Sequence, residues 1–454
     1  MAFESINPAT EVSQARFSPW TGAQVEQALA QVATATPQWQ ERSIGERGGY
    51  LVRLASLLRE RKETLARLIT AEMGKLFHEA LAEIEKSARG CEHYAQHAAT
   101  LLQDEIIATD ARRSLVTYQP IGTVLAIMPW NFPFWQVFRF AAPALVAGNT
   151  AVLKHAANVP QCALAIEKLI VDAGFPPGVF RTLMIESHQV ASVIADPRIH
   201  AVTLTGSEAA GRKVAALAGQ HLKKSVLELG GSDAFIVLED ADLALTTRGA
   251  VTGRYQNAGQ SCIAAKRFVV VDAIADPFVE EFRAAAAALV TGNPMEKSTT
   301  LAPLARNDLR AELHQQVTQS MQQGALAILG CKPPDGTGYF YPASILDNVG
   351  PGMRAYQEEL FGPVATIIRV RNERQAIAVA NVSRYGLGGS VWTRDTARGE
   401  AVARQLAAGV CFVNGVVRSD PRIPFGGSKC SGYGRELGRH GMLEFTNIKT
   451  LWID

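Results

Sequence analysis

Residues 122–156, "GTVLAIMPWNFPFWQVFRFAAPALVAGNTAVLKHA", decide the fold. A short apolar run (122–128) leads into a helix-like stretch, "FWQVFRFAAPALVAG", and then into a second apolar run (150–156). The runs are too short for helices and too uniformly apolar for strands with one wet face, so they read as strands buried on both sides. The alternation continues downstream. "VFRTLMI" (179–185), "AVTLTGS" (201–207) and "SVLELGG" (225–231) are strand-like, separated by the helical "CALAIEKLIVDAG", "HQVASVIAD" and "AAGRKVAALAG". Five such strands alternating with helices predict a doubly wound parallel α/β sheet, which binds ligands beyond the carboxyl ends of its strands.

Upstream, residues 21–105 read as amphipathic packing helices. Thr21 and Gln24 have capping-box spacing, and Leu51, Leu54, Leu58, Leu65, Leu68 and Ile69 form an apolar stripe. From about 232 a second α/β block begins. Its strands are "DAFIVLED", "AKRFVVVD", "ALAILG", "FGPVATIIRV" and "GSVWTR", and it has no phosphate-type glycine loop of its own. The final "FTNIKTLWID" reads as a lone strand that needs a partner: "RSLVTYQP" (113–120), another block, or a neighbouring subunit.

The bulk properties exclude several classes. The 454 residues exceed one compact core and predict two or three domains. With 47% apolar and 19% charged residues, the chain reads as globular. A net charge of +2, with Lys and Arg scattered, provides no basic stripe for nucleic acid. The longest apolar stretch is too short for a bilayer, and the N-terminus lacks a signal-peptide pattern. Six Cys without regular spacing fit reduced thiols in a cytoplasm, and nine His without ligand spacing predict no metal.

Four stretches could carry chemistry, and each has an ordinary alternative: a plain strand-to-helix turn, a turn asparagine, a buried structural acid and a small core cysteine. "LTGSEAAGRKVA" has a strand, then Gly206–Ser207, then a helix, where backbone N–H groups face an anion. Asn131, in "PWNFP", stands at a strand end where an amide can donate to an oxyanion. Glu228 ends an apolar strand before Gly230–Gly231, where burial raises a carboxyl pKa and suits it to base catalysis. Cys262 follows "NAGQS" and has no neighbouring His, so alone it reads as a small core residue.

In order, "PWNFP", "TGSEAAG", "LELGG", "NAGQSC", "EELFGPV" and "PFGGSKCSGYGRE" resemble the aldehyde dehydrogenase superfamily, closest to its succinate-semialdehyde dehydrogenase type. The resemblance runs from "INPAT" to the terminal strand. It implies a dinucleotide-binding domain over 1–105 and 121–231, a catalytic domain over 232–432, and a small β oligomerisation element over 106–120 and 433–454. It implies Cys262 as nucleophile, Glu228 as general base, and the Asn131 side chain with the Cys262 N–H as oxyanion hole. For the cofactor it implies Lys154 on ribose hydroxyls and Gly206 and Ser207 at the pyrophosphate. Met128, Trp130 and Leu229 then border that pocket, and Glu359 and Phe361 position the nicotinamide ribose and ring. The resemblance also implies a homodimer or homotetramer.

Three residues after Lys154, many NAD-preferring members carry a Glu; here Ala157 removes a carboxylate that would repel a 2′-phosphate. The expectation is NAD, with NADP also accepted and Lys154 and His155 accommodating the phosphate. Arg139 falls where the succinate-semialdehyde type clamps the substrate's far carboxylate, and Ser419 matches a second contact. Gln136 borders the same region, and Arg418 is an alternative clamp. The competing role for Arg139 is a helix-surface ion pair. A second arginine of that type is replaced by Gln256. The expected reaction is oxidation of an aldehyde to an acid, best matched by succinate semialdehyde. The alternatives are another aliphatic aldehyde or semialdehyde, acyl transfer to CoA, a cysteine hydrolase, or a catalytically silent relative.

Overall fold

The computed structural model describes residues 3–454. Its central sheet is built from the runs that opened the sequence. Five parallel strands, Thr123–Met128, Thr150–His155, Phe180–Thr182, Ile199–Thr205 and Lys224–Glu228, are hydrogen-bonded with the first strand in the middle. The second and third strands lie to one side of it, the fourth and fifth to the other. The direction of winding therefore reverses between Thr123–Met128 and Ile199–Thr205, and their carboxyl ends open a crevice at that point. Those ends deliver Trp130 and Asn131 from one side and Gly206 and Ser207 from the other.

The helix Trp135–Val146 is buried along its whole length. A helix that is apolar nearly all round belongs in the core, and its few polar residues must find partners there. Gln136 and Arg139 are those residues.

The expected N-terminal helices form, as Gly22–Gln40, Ile44–Glu60, Lys62–Met73 and Phe77–Leu101, and Thr21 and Gln24 make the capping box. These helices dock through acids as well as apolar faces. Glu72 accepts from the N–H groups of Gln161 and Cys162, at 3.0 and 2.9 Å, at the start of the helix Pro160–Asp172. Glu83 does the same for Phe134 and Trp135, at 2.9 and 3.1 Å. Each carboxylate meets the positive end of a helix dipole and satisfies two orphan donors.

The second block is a seven-stranded sheet containing Ala265–Val271, Asp233–Val237, Val364–Val370 and Gly388–Trp392, the strands the sequence predicts, with Leu326–Leu329 on one edge. Ser344–Asp347 and Val410–Val413 also join it, which the sequence reading did not anticipate. Both are four residues long, too short for a clear pattern. The terminal strand Thr446–Ile453 takes the first of its three options. It pairs antiparallel with Arg113–Pro120 of its own chain, from Thr446 opposite Pro120 to Ile453 opposite Arg113. Among the described residues no helix is long and apolar enough to cross a membrane.

Candidate active site

Cys262 sits in the turn before the strand Ala265–Val271, at the end of an unusual backbone stretch. Asn257, Ala258 and Gly259 have φ of 53°, 52° and 72°, three successive left-handed residues. For the two that carry a Cβ, this costs on the order of 1–2 kcal/mol each. At Gly259 a Cβ would lie 2.4 Å from the Gly362 carbonyl, so only glycine fits. Side chains hold the turn. Arg254 Nη2 donates to the Gly259 carbonyl (2.7 Å), and Asn257 Nδ2 donates to the carbonyls of Asn131 (3.0 Å) and Gln260 (3.1 Å). Lys266 Nζ donates to the carbonyls of Ser261 (2.9 Å) and Cys262 (2.7 Å). Among the described residues the Cys262 N–H finds no hydrogen-bond acceptor, which leaves it available to an incoming oxygen.

Asn131 faces this turn. Its Nδ2 donates to the Gln260 carbonyl at 3.1 Å, which uses one of its two N–H bonds. Its own carbonyl receives Lys75 Nζ at 2.9 Å. Lys75 is in turn ion-paired with Glu83, both fully buried. Glu83, through the Phe134 and Trp135 N–H groups, therefore locks the "NFPFW" segment to the helix Phe77–Leu101. The sequence reading did not find Lys75, Glu83 or Lys266. The signal for the last was a lysine inside an otherwise apolar strand start.

Two cavities meet at the thiol. The first, of about 800 Å³, is bordered by all eight residues expected to hold the cofactor: Met128, Trp130, Lys154, Gly206, Ser207, Leu229, Glu359 and Phe361. Ser207 caps the helix Glu208–Gln220 that opens there, accepting from Ala210 N at 3.3 Å. Lys154 is half-buried, among the described residues it has no hydrogen-bond or ion-pair partner, and burial lowers its pKa. An orphaned cation beside a helix N-terminus fits a dinucleotide phosphate and its ribose. Glu359 is ion-paired with Lys266 at 3.1 Å and accepts from the Gly231 N–H at 3.1 Å. A Cβ at Gly230 would lie 2.2 Å from Glu359, so the glycine makes room for it. Trp130 and Phe361 meet edge to face, with centroids 5.8 Å apart. Ala157 is exposed, as an open ribose site requires. His155 departs from expectation. It is buried, its Nε2 bonds the Pro133 carbonyl (3.0 Å) and its Nδ1 accepts from Ala156 N (2.8 Å), so it braces the backbone instead of meeting a phosphate.

The second cavity, of about 480 Å³, is bordered by Gln136, Arg139, Arg418 and Ser419, the expected substrate residues, and by Gln256. Arg139 is not on a helix surface. It is buried and ion-paired with buried Glu436, its Nη2 donates to Thr205 Oγ1 at 3.3 Å, and it lies 4.9 Å from the Phe425 ring centre. Its charge is matched within the protein before any substrate arrives, which weakens the expected clamp. Gln136 Oε1 is buried without a partner. Lys86, Lys75 and Glu79 also border this cavity, contributed by the helical block that the sequence reading treated as packing.

Glu228 borders neither cavity. It is 1% exposed, neither carboxyl oxygen has a hydrogen-bond partner, and it packs where a side chain at Gly426 would stand. Burial, reinforced by Glu436, pushes its pKa well above the carboxylate range, with Arg139 and Arg435 opposing. Burial thus favours its neutral form, and its carboxyl lies behind the walls of both cavities.

Burial pushes the Cys262 thiol up to about 12, against the pull of Arg139 and Lys266. A raised thiol pKa favours the protonated form, so thiolate grows throughout the range below it. Iodoacetamide labelling of Cys262 in the cofactor-free protein is expected to rise about tenfold per pH unit from pH 7 to pH 10, without a plateau. A plateau near pH 8.5, read by mass spectrometry of the Cys262 peptide, contradicts this.

Among the described residues no group of three or more His, Cys, Asp or Glu side chains could hold a metal ion. Residues 1–451 match the profile of the Aldehyde dehydrogenase family. A probable succinate-semialdehyde dehydrogenase (NADP+) of Synechocystis sp. is 48% identical over 453 residues, covering 100% of both chains. The succinate semialdehyde dehydrogenase (NAD(P)+) Sad of Escherichia coli K12 is also 48% identical, over 99% of this chain and 97% of its own. The crystal structure of succinic semialdehyde dehydrogenase from Streptococcus pyogenes, in complex with NADP+, superimposes with a TM-score of 0.98 at 37% identity, over 100% of both chains. By sequence over its whole length and by fold, this chain belongs to the aldehyde dehydrogenase family.

Proposed function

We propose that the protein oxidises succinate semialdehyde to succinate with NADP or NAD. One observation carries the reading: among the described residues Cys262 alone is shared by the linings of the two cavities, one lined by the expected cofactor residues and one edged with cations. The relatives' printed activities and the missing carboxylate at Ala157 support both cofactors.

The chain's own groups account for the chemistry. The Cys262 thiol gives its proton to solvent water, its sulfur bonds to the aldehyde carbon, and the carbonyl π pair moves onto oxygen to form a tetrahedral oxyanion. The second N–H of Asn131 and the Cys262 N–H hold that oxygen, fixed in place by Lys75, Asn257 and Lys266. The nicotinamide, when bound, supplies the hydride acceptor. Lys154, Ser207 and Glu359 would hold a bound dinucleotide, and Trp130 and Phe361 would border its nicotinamide end. Loss of hydride leaves a thioester on Cys262. Glu228, rotated inward and ionised, takes a proton from water, whose oxygen attacks the thioester carbon and releases the acid and the thiol.

Appearance of reduced cofactor, followed by absorbance, tests this with an aldehyde panel run separately with NAD and NADP. Succinate semialdehyde is expected to give the highest kcat/KM, with both cofactors turned over. Preference for butanal overturns the substrate assignment, and product formation that requires CoA overturns hydrolysis.

The assembly belongs to the same proposal. The three-stranded sheet leaves Ile106, Ile448, Trp452 and Ile453 exposed, an apolar strip suited to a second copy of the chain. All six cysteines are unpaired, in keeping with a reducing cytoplasm.

A further inference from the structure

Lys86 borders the substrate-side cavity and is explained by none of the motifs. It lies three residues after Glu83 and seven after Glu79 on the helix Phe77–Leu101, so the three share one face. It is half-buried, its Nζ donates to Ser419 Oγ at 2.8 Å, and it stands 4.5 Å from the Trp135 ring centre. Among the described residues no carboxylate forms an ion pair with it. The acids that face it are already engaged: Glu83, on its own helix, with Lys75, and Asp420, on the opposing loop, with Arg422. The other groups facing it are cations, Arg139 from the helix Trp135–Val146 and Arg418 from the loop.

Ser419 completes the arrangement. Its Oγ accepts from Lys86 and, at 3.1 Å, from Trp135 Nε1. With both acceptor positions filled, the hydroxyl proton has no acceptor among the described residues. The remaining Lys86 N–H bonds and the Ser419 O–H are thus donors in search of an acceptor at one end of a cavity that has the thiol in its wall. A buried ammonium without an anion is costly, and an arriving carboxylate removes that cost.

We propose that Lys86, together with the Ser419 hydroxyl, binds the substrate's far carboxylate, with Arg418 at the rim, and that it supplies the positive charge missing at Gln256. The inference rests on the semialdehyde reading above. Arg139, matched to Glu436, shapes the cavity and steadies Glu228. Burial pulls the Lys86 ammonium down to about 8, with Arg139 adding to the effect and Glu83 and Asp420 opposing it. Lowering an ammonium pKa means that its charge is present below about pH 8 and lost above it.

The test compares kcat/KM for succinate semialdehyde with that for butanal, in the wild type, Lys86→Met and Lys86→Arg, from pH 6.5 to 9.5. The expected result is a ratio about 30-fold lower in Lys86→Met and largely kept in Lys86→Arg, in line with loss of one charge-assisted hydrogen bond. In the wild type, the KM for the semialdehyde rises above pH 8 and that for butanal does not follow, whereas in Lys86→Arg the rise is absent. An equal loss for both aldehydes in Lys86→Met, or no change in the ratio, overturns the proposal. A wild-type KM that ignores pH across this range does so too, even if Lys86→Met fails to fold. If the wild type itself prefers butanal, the semialdehyde reading falls. If it prefers the semialdehyde and Lys86→Met keeps that preference, only the role of Lys86 falls.

Discussion

Cys262→Ala is expected to lower turnover by about 10⁴-fold or more, with every aldehyde and either cofactor. The argument is one of position. No other cysteine borders either cavity. Cys91, Cys162 and Cys331 are buried elsewhere, and Cys411 and Cys430 are half-buried away from the shared wall. The turn that carries Cys262 is held by contacts to the backbone and to neighbouring side chains, none of them through the sulfur. The variant should therefore keep its thermal midpoint within about 2 °C and still bind the dinucleotide, as read by quenching of tryptophan emission at Trp130. Retention of more than a hundredth of the wild-type rate would mean that another group attacks the aldehyde.

Arg139→Ala should be the most damaging single change to stability among the site residues. It leaves Glu436 buried without its cation and removes the opposing charge from Glu228. Breaking a buried pair by deleting one partner costs about 3–5 kcal/mol. The thermal midpoint is expected to fall by roughly 5 °C or more. Activity should fall to a similar degree for succinate semialdehyde and for butanal, because the damage reaches Glu228 and not the carboxylate. Glu436→Gln in the same chain should restore part of the midpoint, since no uncompensated carboxylate then remains. An unchanged midpoint, or a loss confined to the semialdehyde, would return Arg139 to the role of clamp.

What was legible in the sequence follows from range. The strands around Gly122–Gly148 declare themselves through local apolar runs, and Thr21–Gln24 through a local cap. Asn131, Gly206, Ser207 and Cys262 stand at strand ends or turns that the pattern fixes. The hidden parts are contacts between distant segments. Glu72 and Glu83 cap helices that begin some 50 to 90 residues later. In the sequence they look like ordinary exposed acids of an amphipathic helix. Arg139 falls on a helix whose polar residues could equally have faced water, and only the burial of its whole length shows that they do not. Glu436, at the far end of the chain, then decides what Arg139 can do. Lys86 was invisible for the same reason as Glu83: one face of a long helix borders a cavity whose other walls come from residues 132–139, 252–264 and 416–425.

The single shared residue between the two cavities has a consequence for traffic. The two proposed ligands approach the sulfur from separate walls, with only Cys262 common to both linings among the described residues. A change confined to one wall is therefore expected to reach one ligand and spare the other.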